Sequence, residues 1–155
     1  MKLMVAISYG KGVIECEQYE HLDGKYFANY VRRKFPTMFK KSNKFPSRLW
    51  VQDGDPSQNC GDAKKEMKKI GAELFNIPAK SPDLNPIENV FHLVRRKLAK
   101  QALAQNITKE SYAQFSERVK DTLLTFDSHI IDKTIDTMSR RINMIITTKG
   151  HRTKY

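Results

Sequence analysis

The side chains best suited to chemistry are the carboxylates that frame residues 50–96. A short apolar run, WVQDGDP, ends in Asp53 and Asp55, and a proline-punctuated stretch, SPDLNPIENVFHLVRR, carries Glu88. Thirty-four residues separate Asp53 from Glu88. Carboxylate oxygens are the donors that Mg²⁺ prefers, and histidine is not required. Two such ions held roughly 3.5–4 Å apart would activate a water or a DNA 3′-hydroxyl and steady the leaving oxygen. The first reading is therefore a metal site that cuts nucleic acid, with Asp53 and Glu88 as ligands. Plainer roles stay open beside it. Glu88 suits the N3 position of a capping box, and Asp53 and Asp55 suit a turn before Pro56. The third carboxylate that such a site needs is not evident in the chain.

The elements that must position these residues follow from local pattern. Leu3–Ser8 is apolar without polar alternation and reads as a buried strand. Gly10-Lys11-Gly12 marks a turn, and residues 13–19 alternate, with Ile14 and Cys16 on one face and Glu15 and Glu17 on the other. Asp23 should cap a helix through about residue 34, with Tyr26, Phe27, Tyr30 and Val31 on one face and Arg32, Arg33 and Lys34 at its end. Residues 36–47 read as a loop bearing Lys40, Lys41 and Lys44, a natural contact for backbone phosphates.

A third strand, 48–52, must stop near Asp53 because Pro56 cannot donate to a ladder. Residues 62–70 read as a helix closed by Gly71, and 73–77 as a fourth strand. Pro78 and Pro82 bracket an irregular loop. Asn85 at the N-cap, Pro86 at N1 and Glu88 at N3 make a strong helix start. Ile87, Val90, Phe91, Val94 and Leu98 form its buried stripe, while Arg95 and Arg96 are further candidates for phosphate contact. Two amphipathic helices follow. One is built on Tyr112, Phe115, Val119, Leu123 and Phe126, the other on Ile131, Ile135, Met138, Ile142 and Ile145. The tail, 149–155, is basic and expected to be mobile.

With 155 residues, 28 Lys and Arg against 17 Asp and Glu, and a net charge of +11, the chain has the size of one domain and favours an anionic partner, nucleic acid first. Cys16 and Cys60, the only cysteines, have no metal-ligand spacing, and the four histidines are scattered. No apolar run approaches a membrane span, and none reads as a signal peptide, so an intracellular protein is expected.

WVQDGDPSQN, the thirty-four-residue gap and PAKSPDLNPIENVFHLVRRKL together resemble the catalytic domain of the mariner superfamily of cut-and-paste DNA transposases. The early segment LMVAISYGKG…LDGKYFANYV resembles that family's second and third strands and first helix, and KGHRTKY its C-terminal end. The resemblance implies an α/β, ribonuclease-H-like mixed sheet lacking its first strand, with C-terminal helices. It divides the chain into a partial catalytic domain, 1–104, and a helical extension with a basic tail, 105–155. It gives Asp53 the role of the second catalytic aspartate and Glu88 that of the terminal glutamate, with Asp55 and Asn85 supporting. Mg²⁺ or Mn²⁺ would be the cofactor. DNA, as transposon ends and target, would be the partner, with a homodimer in the full-length protein. No membrane or small-molecule substrate is implied, and the nucleus is the expected compartment in a eukaryote.

Two departures from the family pattern stand out. Gly54-Asp55-Pro56-Ser57-Gln58 replaces the usual Asn-Asp-Pro followed by a basic residue and a histidine. The family's first aspartate lies on a strand upstream of the segment that matches Leu3–Ser8, and Asp23 does not replace it. The chain is therefore expected to be a C-terminal portion, catalytically incomplete alone. In ribonuclease-H-like sheets the first strand is central, and without it Leu3–Ser8 and residues 48–53 would each have an unpaired edge, so the chain alone is expected to be poorly stable or to self-associate through that gap. Two rival readings remain: a non-catalytic nucleic-acid-binding relic or co-opted domain, and a nuclease acting on RNA.

Overall fold

The computed structural model describes residues 1–44, 46–78 and 81–149. The tail expected to be mobile lies, from Gly150 on, outside the described residues. Contacts gather the chain into two compact units, one of Met1–Gln18 with Pro86–Tyr155, the other of Tyr19–Asn85.

The first unit begins with an antiparallel hairpin of β1 (Leu3–Ser8) and β2 (Gly12–Gln18). Gly10 and Gly12 both take positive φ in its turn, as the sequence anticipated. A Cβ on Gly12 would stand 3.3 Å from the Cβ of Ser128, so glycine also lets the turn approach the helix that starts there. The register shifts between Ala6 and Ile7. That bulge turns the strand over, so Val13, rather than Ile14, joins Cys16 against the helical core. Simple alternation had placed Ile14 on that face.

Three helices complete this unit: α3 (Pro86–Ala104), α4 (Tyr112–Leu124) and α5 (Ser128–Thr147). Helices α1 (Gly24–Ser42) and α2 (Gly61–Lys69) belong to the second unit. Val90 and Val94 of α3, Val119 and Leu123 of α4, Phe126 and Ile131 form the core, with Leu3, Val5, Ile7 and Val13 packed on it. Ser111 opens α4 with a full capping box, its hydroxyl accepting from Gln114 N–H at 3.2 Å and Gln114 Oε1 accepting from Ser111 N–H at 2.9 Å. Tyr112 and Phe115, expected in the buried stripe, are 61% and 36% exposed. Tyr112 instead accepts a hydrogen bond from Gln18 Nε2 of β2 at 3.2 Å, and the Arg118 guanidinium lies over the Phe115 ring.

The second unit holds α1 (Gly24–Ser42), β3 (Leu49–Gln52), α2 (Gly61–Lys69) and β4 (Glu73–Asn76). Asp23 caps α1 as expected, accepting from Tyr26 N–H at 2.7 Å. The helix then continues through Pro36 for two more turns, where the sequence suggested a loop. Proline removes one helical hydrogen bond and disfavours helical backbone before it. Burial outweighs that cost, since Phe35 and Met38 are fully enclosed and Phe35 stacks at 4.4 Å on Trp50 of β3. Asn43, in the left-handed region, ends the helix.

Strands β3 and β4 pair in parallel, Trp50 opposite Leu74, with α2 as the crossover. Gly71 takes φ +67°, and the bonds Gly71 N–H to Lys68 O and Ala72 N–H to Met67 O close α2 in a Schellman motif. Of the irregular loop expected between Pro78 and Pro82, residues 79 and 80 lie outside the described residues, and a 3₁₀ turn, Pro82–Leu84, follows it. Among the described residues β1 pairs only with β2 and β3 only with β4.

Candidate functional site

Asp53 follows directly on β3, exposed, at the start of a turn that side chains knit together. Its Oδ1 accepts from Asp55 N–H at 3.3 Å. Asp55 Oδ1 accepts from Ser57 N–H at 2.8 Å, the Asx-turn that this residue type forms two positions on. Asn59 donates its side-chain N–H groups to the carbonyls of Asp53, at 3.0 Å, and Asp55, at 2.9 Å. The turn-forming role of Asp55 is thus realised, and it is compatible with support of Asp53.

Two residues of this scaffold escaped the sequence reading. Gln52 is buried, accepts from Trp50 Nε1 at 3.0 Å and donates to Gln58 O at 3.2 Å. A buried side-chain amide must find such partners or destabilise the fold. Asn59 is the second. An Asn after Asp-x-x-x in a turn-rich run was the available signal, because Asn and Asp both bond nearby backbone.

Glu88 stands in the first turn of α3, exposed, and the helix begins at Pro86 as the motif predicted. Asn85 takes extended backbone, φ −108° and ψ 103°, immediately before it, which suits the N-cap. A carboxylate here also complements the positive end of the helix dipole. Val90 and Val94 fix which side of α3 faces inward, and Arg95 and Arg96 are exposed. Lys40 and Lys41 lie on the last turn of α1, not in a loop, because α1 runs past Pro36. Lys44 follows just after the helix, and all three are exposed.

Asp53 and Asp55 belong to the unit Tyr19–Asn85 and Glu88 to the other. Among the described residues no group of three or more His, Cys, Asp or Glu could hold a metal ion. Burial pushes the Cys16 thiol above its ordinary value, an effect opposed by Lys120 and aided by Glu15. Cys60 caps α2, its Sγ accepting from Ala63 N–H at 3.4 Å, and its Sγ would lie 2.7 Å from a Cβ on Gly24. Both thiols are free, and the two serve packing and capping.

Residues 1–109 match the family model described as DDE superfamily endonuclease. The Tcb1 transposable-element transposase of Caenorhabditis briggsae is 33% identical over 110 residues, which is 70% of this chain and 38% of that protein. The chain thus spans less than two-fifths of the length of this curated relative. Among solved structures, the Mos1 transposase catalytic domain with raltegravir and Mn superposes with a TM-score of 0.73 at 15% identity, covering 99% of this chain and 82% of that one. The Mos1 transposase paired-end complex with the left transposon end gives a TM-score of 0.70 at 19% identity, covering 94% and 41%. The likeness shows a ribonuclease-H-like fold with C-terminal helices.

Proposed function

The chain belongs to the DDE superfamily of endonucleases, as a mariner-type transposase domain, and from that premise we propose that it serves metal-dependent DNA cleavage and strand transfer, with Asp53 and Glu88 as metal ligands. One observation carries the reading. The family match runs from residue 1 to 109 and so takes in both acids, each on an element suited to present it. Residues 1–104 form the catalytic part in this reading, and 105–155 its helical extension.

The donor set fits Mg²⁺ or Mn²⁺, since both groups are exposed carboxylates, and Mg²⁺ is commonly held by one or two carboxylates together with water. When bound, the ion supplies positive charge for a phosphoryl group and sharpens the attacking oxygen. Asp53 and Glu88 hold and orient it. Asp55 keeps the turn beneath Asp53 wound, and Asn85 sets the start of α3. Lys40, Lys41, Lys44, Arg95 and Arg96 are the residues proposed to meet DNA phosphates, which positions the duplex without reading its sequence.

The proposed partners are transposon ends and target DNA. The reading makes the full-length protein a homodimer, acting in the nucleus where the host is a eukaryote, with no small-molecule substrate. Two solved relatives support this reading: a Mos1 paired-end complex with the left transposon end, and a Mos1 catalytic domain with raltegravir and Mn. Among the described residues no helix is long and apolar enough to cross a membrane.

Matched DNA and RNA duplexes, titrated with the chain in Mn²⁺ across a salt series, test the proposal. DNA should bind more tightly, with a Mn²⁺-dependent component that D53N and E88Q abolish. Preference for the RNA duplex, or binding indifferent to Mn²⁺ and to both substitutions, would overturn it.

A further inference from the structure

Arg141 lies on α5 and is 2% exposed. Its Nη1 donates to Asn89 Oδ1 on α3 at 2.8 Å. Its Nε donates to Thr137 Oγ1 at 2.8 Å, and that hydroxyl donates in turn to Thr134 O at 2.7 Å. A guanidinium in the interior is thus tied on one side to its own helix and on the other to the residue directly after Glu88. Stability alone does not account for a cation here. Replacing a buried charged group and its partner by apolar side chains of similar volume is often neutral or stabilising. Asn89 and Thr137 are neutral, so what they receive from Arg141 are directional hydrogen bonds from a charged donor, suited to fixing one geometry among several that packing would allow.

We infer that Arg141 is a positioning residue for Glu88, acting through Asn89. The inference rests on the reading of Glu88 as a metal ligand. In an α-helix of 3.6 residues per turn, neighbours point about 100° apart, so holding the amide of Asn89 fixes the azimuth of Glu88. Val90 and Val94 hold α3 against the core, but apolar packing tolerates small rotations that a directional hydrogen bond does not. The first turn is where such control is needed, because its N–H groups have no partners within the helix. Second-layer bonds of this kind orient metal ligands, and their loss costs about 10–100-fold in metal affinity. Asn89 and Arg141 form the corresponding layer on the Glu88 side.

The test uses the full chain and its R141M, R141K, N89L and E88Q variants, with Mn²⁺ alone as probe. R141M should weaken Mn²⁺ binding by about tenfold or more while the thermal midpoint stays within a few degrees, and R141K should recover most of the affinity. A second reading needs no metal. Hydrogen exchange at the Val90 and Phe91 amides, which close the first turn of α3, should quicken in R141M relative to the amides of Val94 and Leu98. Should R141M fail to fold, N89L cuts the same link from α3 and carries both expectations. Wild-type Mn²⁺ affinity in R141M, with first-turn exchange unchanged, overturns the inference. Mn²⁺ binding indifferent to E88Q overturns the metal-ligand reading instead, and the exchange comparison then decides by itself whether Arg141 holds the turn.

Discussion

The turn that carries Asp53 is tied mainly by residues within six positions: Asp55, Gln58, Asn59 and the buried Gln52. The helical turn that carries Glu88 receives its fixed hydrogen bond from Arg141, 52 positions along the chain. The units differ in the same sense. Tyr19–Asn85 builds its core on Phe27, Tyr30, Val31, Phe35, Met38 and Met67, with Phe39 and Trp50 set edge-on or tilted against Phe35, beside a two-stranded parallel sheet. The other unit packs three helices on a hairpin whose strand and helices come from opposite ends of the sequence. One acid therefore depends on local chemistry, the other on distant packing. Damage to each should be correspondingly local or distant.

The largest expected effect comes from Phe35→Ala. Removing a fully buried ring costs about 3–5 kcal/mol. Amides of α1 and β3 should lose hydrogen-exchange protection, while those around Val90 and Val119 keep theirs. Equal loss in both units would break the comparison. Next in size is Gln52→Leu, which leaves Trp50 Nε1 and Gln58 O without their partner at about 1–3 kcal/mol. Chemical denaturation should register the loss, and NMR shifts should change through residues 53–59 with none at Glu88. Shifts at Glu88 would mean that the Asp53 turn is not locally determined.

Ser111→Ala, in the distant-contact unit, removes the α4 capping bond for about 1 kcal/mol. Its mark in a denaturation curve should be similar at every neutral pH. The smallest effect concerns Glu110, whose carboxyl the hydrogen bonds from Arg118 hold below its ordinary value of 4.5. A group whose pKa falls on folding stabilises the fold above its unfolded pKa, and the contribution fades as pH drops through the folded one. The melting difference between wild type and Glu110→Gln should therefore be present at neutral pH and vanish in acid well below pH 4.5. A difference that persists in acid would show that packing, not the ion pair, is what the substitution disturbs.

Legibility in the sequence follows the same line between local and distant. Asp23, Gly71 and the start of α3 at Pro86 were readable because capping and left-handed backbone are decided within a few residues. The continuation of α1 past Pro36 was not, because the burial of Phe35 and Met38 overrides a local breaker. Nor was the bulge that sets Val13 rather than Ile14 beside Cys16, since register belongs to a strand pair. At the candidate site the turn at Asp55 and the place of Glu88 in the first turn of α3 could be read. The bond between Asn89 and Arg141 could not, because no periodicity links residues so far apart.

The central claim is that Asp53 and Glu88 are metal ligands. Titrating Mn²⁺ into wild type, D53N and E88Q tests it most directly. Each substitution should weaken Mn²⁺ binding by about tenfold or more while the thermal midpoint stays within a few degrees. A substitution at either acid that leaves the affinity untouched would contradict it.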